Sequence, residues 1–118
     1  MTPSAFTYLN HYQSENIEDE PISIGGRFIS LEMAHGFEPT ADLDDEAASR
    51  VRGVQAALWT EYISNRALLE YMAFPRLCAI AETAWTPREL RDYDAFKAAL
   101  RKHLRRLAIL GINHRRLD

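Results

Sequence analysis

A mostly α-helical chain with one or two short strands is what this sequence predicts, on three observations. The run Ala67 to Ala84 is apolar around much of its circumference, through Leu68, Leu69, Met72, Leu77 and Ile80, as in a helix covered on several sides. Phe96, Leu100, Leu104 and Leu107 recur at helical spacing and form the stripe of a second, amphipathic helix. Val51 to Trp59 combines β-branched and apolar residues with Gly53, which permits close backbone approach, and is the best strand candidate in the chain.

The remaining elements follow in order. Met1 to Gln13 is mixed: Phe6, Tyr8 and Tyr12 alternate with polar residues, which predicts a short extended segment or a loop at a strand end. Ser14 to Glu20 is acidic and polar, and Pro21 closes it. Gly25-Gly26 predicts a turn, because only glycine takes such backbone angles freely. A short helical turn is expected from Ser30 to His35, and a loop from Phe37 to Leu43 around Pro39. Asp44-Asp45-Glu46 places three carboxylates where the positive end of a helix favours them, so a short helix should start there and end near Arg50. Pro75 should kink or split the helix of Ala67 to Ala84. Thr86-Pro87-Arg88-Glu89 reads as the start of the last helix, with threonine at the cap, proline at the first helical position and glutamate three past the cap. Gly111 is placed to end it. There is no internal repeat and no low-complexity segment.

Composition narrows the functional classes. The chain has 118 residues, room for one domain and one core. An apolar fraction of 47% and two tryptophans argue against wholesale disorder. The net charge of −3 is too small to announce a nucleic-acid or membrane partner. Its distribution is uneven: Met1 to Thr86 holds 5 basic and 13 acidic residues, Pro87 to Asp118 holds 9 basic and 4 acidic. Most of that basic excess falls on Arg101-Lys102-His103-Leu104-Arg105-Arg106, which reads as a solvated helix face. A nucleic-acid patch would bring aromatic or glycine-rich neighbours, and none is near. Cys78 lies alone in the apolar run Phe74 to Ala84 and reads as a buried, inert thiol. No apolar run approaches membrane-spanning length, and the first residues show no basic-then-apolar leader pattern.

The order strand, loop, helix, with the polar–aromatic cluster Leu58-Trp59-Thr60-Glu61-Tyr62 at the strand's C-terminal end, is how one unit of a (β/α)8 barrel reads. Several runs then fall in one order: Met1-Thr2-Pro3-Ser4, Tyr8-Leu9-Asn10-His11-Tyr12-Gln13, Gly53-Val54-Gln55-Ala56, Leu58-Trp59-Thr60-Glu61, Glu70-Tyr71-Met72, Phe74-Pro75-Arg76-Leu77, Ala81-Glu82-Thr83-Ala84-Trp85 and Gly111-Ile112-Asn113. Together they resemble the final part of the catalytic domain of glycoside hydrolase family 20, the β-N-acetylhexosaminidases. The resemblance runs over nearly the whole chain.

It implies an α/β fold in which residues 1–118 form the C-terminal part of a TIM barrel. Tyr8 to Gln13 resembles the loop after the seventh strand, Val51 to Trp59 the eighth strand, and Ala67 onward the last helices. Met1 would then fall inside or just past the seventh strand and mark an artificial boundary. A full barrel needs roughly 250 residues, so this chain closes none. Its strand edges and helix faces would lack their usual partners, and self-association into a homo-oligomer is expected.

The resemblance also implies chemistry. Enzymes of this family release terminal N-acetylglucosamine or N-acetylgalactosamine by substrate-assisted retaining hydrolysis, in which the substrate's own acetamido oxygen attacks the anomeric carbon. Tyr8 matches the tyrosine whose hydroxyl holds that oxygen at attack distance. Trp59 matches the tryptophan on the floor of the sugar pocket, and Glu61 the carboxylate that accepts hydrogen bonds from sugar hydroxyls near C4. Asn10 stands where the family usually has an aspartate that binds a hydroxyl at C6 or C4. Asparagine keeps an acceptor without the charge, which implies a weaker bond or altered preference. Trp85, Tyr71 and Tyr93 read as packing residues. His11, His35, His103 and His114 lack metal-ligand spacing, and the family needs no metal or other cofactor.

The family's catalytic Asp-Glu pair sits in a His-x-Gly-Gly-Asp-Glu run that this sequence lacks. The chain alone is therefore expected to be inactive, with partners limited to N-acetylhexosamine-containing glycans. The alternative is a naturally short, non-catalytic module that binds amino sugars or pairs with another chain. Family members are often exported to act on glycans, but these residues fix no compartment.

Overall fold

The computed structural model describes residues 1–117, and its framework is three parallel stretches of extended chain backed by helices. Residues Ser4–Thr7 form a single helical turn, α1. Tyr8 makes a parallel bridge to Ala57, with the Leu9 N–H donating to the Ala57 carbonyl at 2.8 Å and the Ala57 N–H to the Thr7 carbonyl at 2.9 Å. Three residues on, β1 (His11–Tyr12) pairs in parallel with β2 (Ile24–Phe28).

Two of these stretches differ from expectation. Gly25-Gly26 lies inside β2 and is no turn. The register explains the glycines: His11 faces Ile24 and Tyr12 faces Phe28, so β2 must absorb extra residues between the two pairs. Gly26 does so at φ 89°, a left-handed angle that glycine takes without steric cost. Val51 to Trp59 is extended and is tied by the bridge at Ala57 and by Met1, whose carbonyl accepts the Gln55 N–H at 2.9 Å and whose ammonium donates to the Gly53 carbonyl at 2.7 Å, yet among the described residues it forms no regular strand. Nor does Gly53 permit a close approach, since a Cβ there would meet nothing within 4 Å.

The helices follow their local signals closely. Ser30 caps α2 (Leu31–Gly36) through the Met33 N–H, and Asp44 caps α3 (Asp45–Ser49) through the Ala47 N–H. The apolar run from Ala67 is split as expected. α4 (Arg66–Ala73) is capped by Asn65 and ends at Phe74, and α5 (Arg76–Trp85) restarts after Pro75. The Phe74 carbonyl at the break accepts the Arg115 N–H at 3.0 Å, so the C-terminal tail satisfies a group that the split leaves open.

The last helix starts later than its sequence signal. Pro87 opens only a 3₁₀ turn over Arg88–Leu90, and α6 (Tyr93–Ile109) begins after Asp92, whose carboxylate accepts the Ala95 N–H at 2.7 Å. Arg91 supplies the reason. Its guanidinium is turned inward to the Phe37 carbonyl and the Glu38 carboxylate, a pair almost out of water. A helix continuing from Pro87 would carry that side chain away. At the other end, Gly111 (φ 71°) and Ile112 donate to the Ala108 and Leu107 carbonyls, which closes α6 as a Schellman motif.

The core joins Ile29, Ala34 of α2, Ala79 and Ile80 of α5, and Phe96, Leu100, Leu104 and Leu107 of α6, so all four residues of the expected stripe are buried. Tyr93 packs on this cluster and on His35. Trp85 does not: it is 87% exposed, because α5 buries Arg76, Ala79, Ile80 and Thr83, and position 85 falls off that stripe. Arg101, Lys102, His103, Arg105 and Arg106 are exposed around buried Leu104, as a solvated face requires. Among the described residues, no helix is long and apolar enough to cross a membrane.

Candidate functional site

Tyr8 and Trp59 lie far apart in sequence and are brought together by the parallel bridge between Tyr8 and Ala57. Their ring centroids are 6.1 Å apart at 50°, a tilted aromatic contact. Each ring precedes a tight turn: the His11 N–H donates back to the Tyr8 carbonyl at 3.3 Å, and the Ile63 N–H to the Thr60 carbonyl at 3.1 Å. Asn10 sits in the first turn and Glu61 in the second. The four candidates thus occupy two turns that each follow one side of the parallel bridge, the first leading into β1 and the second ending the extended run to Trp59.

The two turns differ in surroundings. Trp59 is 54% exposed and Glu61 is exposed, whereas Asn10 is only 6% exposed. The Asn10 side-chain oxygen is buried with no hydrogen-bond partner, while its main-chain carbonyl accepts from the Ser23 hydroxyl. An orphaned acceptor of this kind costs stability unless something donates to it.

The support beneath the first turn was not read from the sequence. Arg76, at the start of α5, is fully buried. Its two Nη atoms donate to five main-chain carbonyls: Leu9 at 2.6 Å, Met72 at 2.8 Å, Ile29 at 3.0 Å, His11 at 3.1 Å and Tyr12 at 3.4 Å. Burial lowers its pKa to about 9, which still leaves it a cation at neutral pH. Next to it, the Glu20 carboxylate accepts the Gln13 N–H at 2.7 Å and the Ser14 hydroxyl at 2.6 Å. Gln13 in turn donates its side-chain amide to the Tyr71 carbonyl of α4. One signal could have revealed Arg76: it is the sole cation in the apolar run Phe74 to Ala84.

Other titratable groups are chemically quiet. Burial pushes the Cys78 thiol up to about 11, so it carries no thiolate at neutral pH. Burial, with Arg27 and Arg76 nearby, holds the His11 imidazole below its ordinary value against a hydrogen bond to Ile24. Among the described residues, no group of three or more His, Cys, Asp or Glu side chains is placed to hold a metal ion. A cleft of about 470 Å³ lies elsewhere, between Gln13 to Asn16, the start of α2, α6 and the C-terminal tail, and includes none of the four candidates.

A model of the glycosyl hydrolase family 20 catalytic domain matches residues 1–88. The β-hexosaminidase of Porphyromonas gingivalis is 39% identical over 116 residues, 97% of this chain and 15% of that protein. A β-N-acetylhexosaminidase of Cellulomonas fimi is 39% identical over 75 residues, 64% of this chain and 15% of that one. Among solved structures, the family 20 exo-β-N-acetylglucosaminidase of Vibrio harveyi in complex with N-acetylglucosamine superposes with a TM-score of 0.84 at 37% identity, over 98% of this chain and 18% of that one. The family 20 β-N-acetylhexosaminidase of Streptomyces coelicolor gives 0.87 at 32%, over 99% and 23%. The chain thus spans less than a quarter of the length of any of these relatives. The two solved relatives are TIM-barrel enzymes.

Proposed function

The chain belongs to glycosyl hydrolase family 20 and has the fold of part of its TIM barrel, and we propose that residues 1–118 supply the sugar-holding half of a β-N-acetylhexosaminidase site. The observation that carries this reading is the meeting of Tyr8 and Trp59 across the parallel bridge between Tyr8 and Ala57. In it, the Tyr8 hydroxyl donates to the substrate's acetamido oxygen and fixes that nucleophile for attack on the anomeric carbon. The exposed face of Trp59 stacks on the apolar face of the sugar ring, and Glu61 accepts bonds from hydroxyls near C4. Asn10 has an unpartnered oxygen ready to accept from a hydroxyl. Protonation of the leaving oxygen falls to an Asp-Glu pair outside these residues, so the segment alone is inactive.

The test is a chimera in which the matching segment of the Vibrio harveyi enzyme is replaced by residues 1–118. It should hydrolyse para-nitrophenyl N-acetyl-β-glucosaminide, and Tyr8→Phe in it should lower kcat by about 100-fold. A folded chimera whose Tyr8→Phe variant is as fast as its parent would remove Tyr8 from the reaction.

On its own the chain should self-associate. Ile22, Trp85, Leu90, Ile109 and Leu110 are all at least 70% exposed, an apolar surface that another chain can cover. Light scattering that finds a monomer at every concentration would overturn this.

A further inference from the structure

A buried arginine is ordinarily bonded to a carboxylate, and among the described residues Arg76 is bonded to none, the charge of Glu20 reaching it only at longer range. Among the described residues every hydrogen bond of its guanidinium runs to a main-chain carbonyl, and the neighbouring Glu20 carboxylate is occupied by the Gln13 N–H and the Ser14 hydroxyl. A guanidinium is a rigid planar fork, so carbonyls that share it are fixed relative to one another in distance and direction. Three of the five come from one run: Leu9 and His11 flank Asn10 and Tyr12 follows, while Ile29 lies just past β2 and Met72 on α4.

Successive peptide units of this turn are consequently pinned. The unit between Tyr8 and Leu9 is held by the Ala57 carbonyl through the Leu9 N–H. Arg76 holds the next unit through the Leu9 carbonyl, and Ser23 the next through the Asn10 carbonyl. Arg76 then takes the unit after that through the His11 carbonyl. With the peptide planes on both sides of Asn10 fixed and that following Tyr8 fixed, the Cα–Cβ directions of both side chains are set by the backbone.

We propose that Arg76 is a positioning residue for the amino-sugar site: by clamping the carbonyls of Leu9, His11 and Tyr12 it aims the Tyr8 hydroxyl and the Asn10 amide at the substrate. This rests on the reading of Tyr8 and Asn10 given above, and it extends the machinery of the site to a side chain that touches no substrate. The contribution falls on the chemical step. Aiming the acetamido oxygen along its attack path matters most in the transition state, so loosening the clamp lowers kcat more than it raises KM.

The experiment uses the chimera with Arg76→Lys. Lysine keeps the charge but concentrates its donors at one point, so it cannot hold carbonyls on both sides of Asn10. The expected result is a drop in kcat of about 100-fold with KM changed by less than about threefold. In the Tyr8→Phe background the same substitution should cost less than about threefold, because only the Asn10 amide remains to be aimed. Equal losses in both backgrounds, or an unchanged kcat per folded molecule beside a lowered melting temperature, would overturn the proposal. If Arg76→Lys does not fold, Arg76→Gln takes its place, and failure of both to fold makes Arg76 purely structural and also overturns it. A Tyr8→Phe chimera as active as its parent sinks the reading of Tyr8 instead, so the two failures are distinguishable.

Discussion

The two turns that carry the candidate residues are built in opposite ways. The turn after Tyr8 is sunk into the protein: Leu9 is 0% exposed, Asn10 and His11 are buried, and Arg76, Ser23 and Ala57 hold its main chain. The turn after Trp59 stands in solvent, with Trp59, Thr60, Glu61 and Tyr62 all exposed. The first has its geometry set in advance by the core. The second presents surface and acquires neighbours only when a ligand or further chain covers it. Preorganisation in such a site can therefore be concentrated on the group that must be aimed, while the stacking platform is left to conform.

That contrast has energetic consequences, of which the largest is expected at Leu9. Leu9→Ala deletes a fully buried side chain beneath the clamped turn and should destabilise the chain by about 3 kcal/mol, read as a shift of the urea midpoint followed by circular dichroism. A cost below about 1 kcal/mol would mean that this turn is no more fixed than its neighbour. Trp59→Ala should cost only about 1 kcal/mol, the scale of its aromatic contact with Tyr8, yet in the chimera it should abolish measurable turnover. Finding the stability cost of Trp59→Ala equal to that of Leu9→Ala would break the comparison.

How much of this was legible in the sequence varies with the range of the interaction. Signals confined to a few residues were readable: the Asp44 cap, the Pro75 split, the Gly111 stop and the stripe from Phe96 to Leu107 each depend on neighbours within a turn or two. What depended on distant chain was misread. Gly25-Gly26 looks like a turn because nothing local announces β1 alongside it, and the start at Pro87 fails because Arg91 is drawn to Glu38 more than fifty residues away in sequence. Trp85 reads as a packing residue in the sequence, although its place off the buried stripe of α5 leaves it in water. The roles of Tyr8 and Trp59 rest on the family resemblance, whereas their meeting is visible only in the structure, because periodicity carries no information about a parallel bridge. Arg76 was visible only as an anomaly, a cation in an apolar run, because its role lies in carbonyls contributed by three other segments.

The smallest expected effect separates the two turns by pH. His11 lies in the clamped turn and His35 in the core against Tyr93 and Phe96, whereas Trp59 to Tyr62 contains no histidine. Burial holds both imidazoles below the ordinary value of 6.5. For His11 the charges of Arg27 and Arg76 add to this and a hydrogen bond to Ile24 opposes it; for His35 Arg91 adds to it and Glu82, Asp92 and Glu32 oppose it. The folded chain thus keeps these groups neutral where the unfolded chain protonates them. Since the unfolded state then binds more protons, stability is fully present above pH 6.5 and falls as the pH drops through the lowered folded values. Glu38 contributes in a separate and lower window: burial raises its pKa, but hydrogen bonds from Thr40 and Arg91 outweigh this and hold it below 4.5. Urea midpoints measured between about pH 5 and 7 should therefore decline with acidity through the histidines. His35→Phe keeps a ring against Tyr93 and Phe96 and should flatten part of that slope, with His11→Gln flattening the rest. Acid that softens the chain through His11 should also slacken the turn that carries Tyr8 while leaving the Trp59 turn unchanged, and a slope untouched by either substitution would place the acid sensitivity outside the clamped turn.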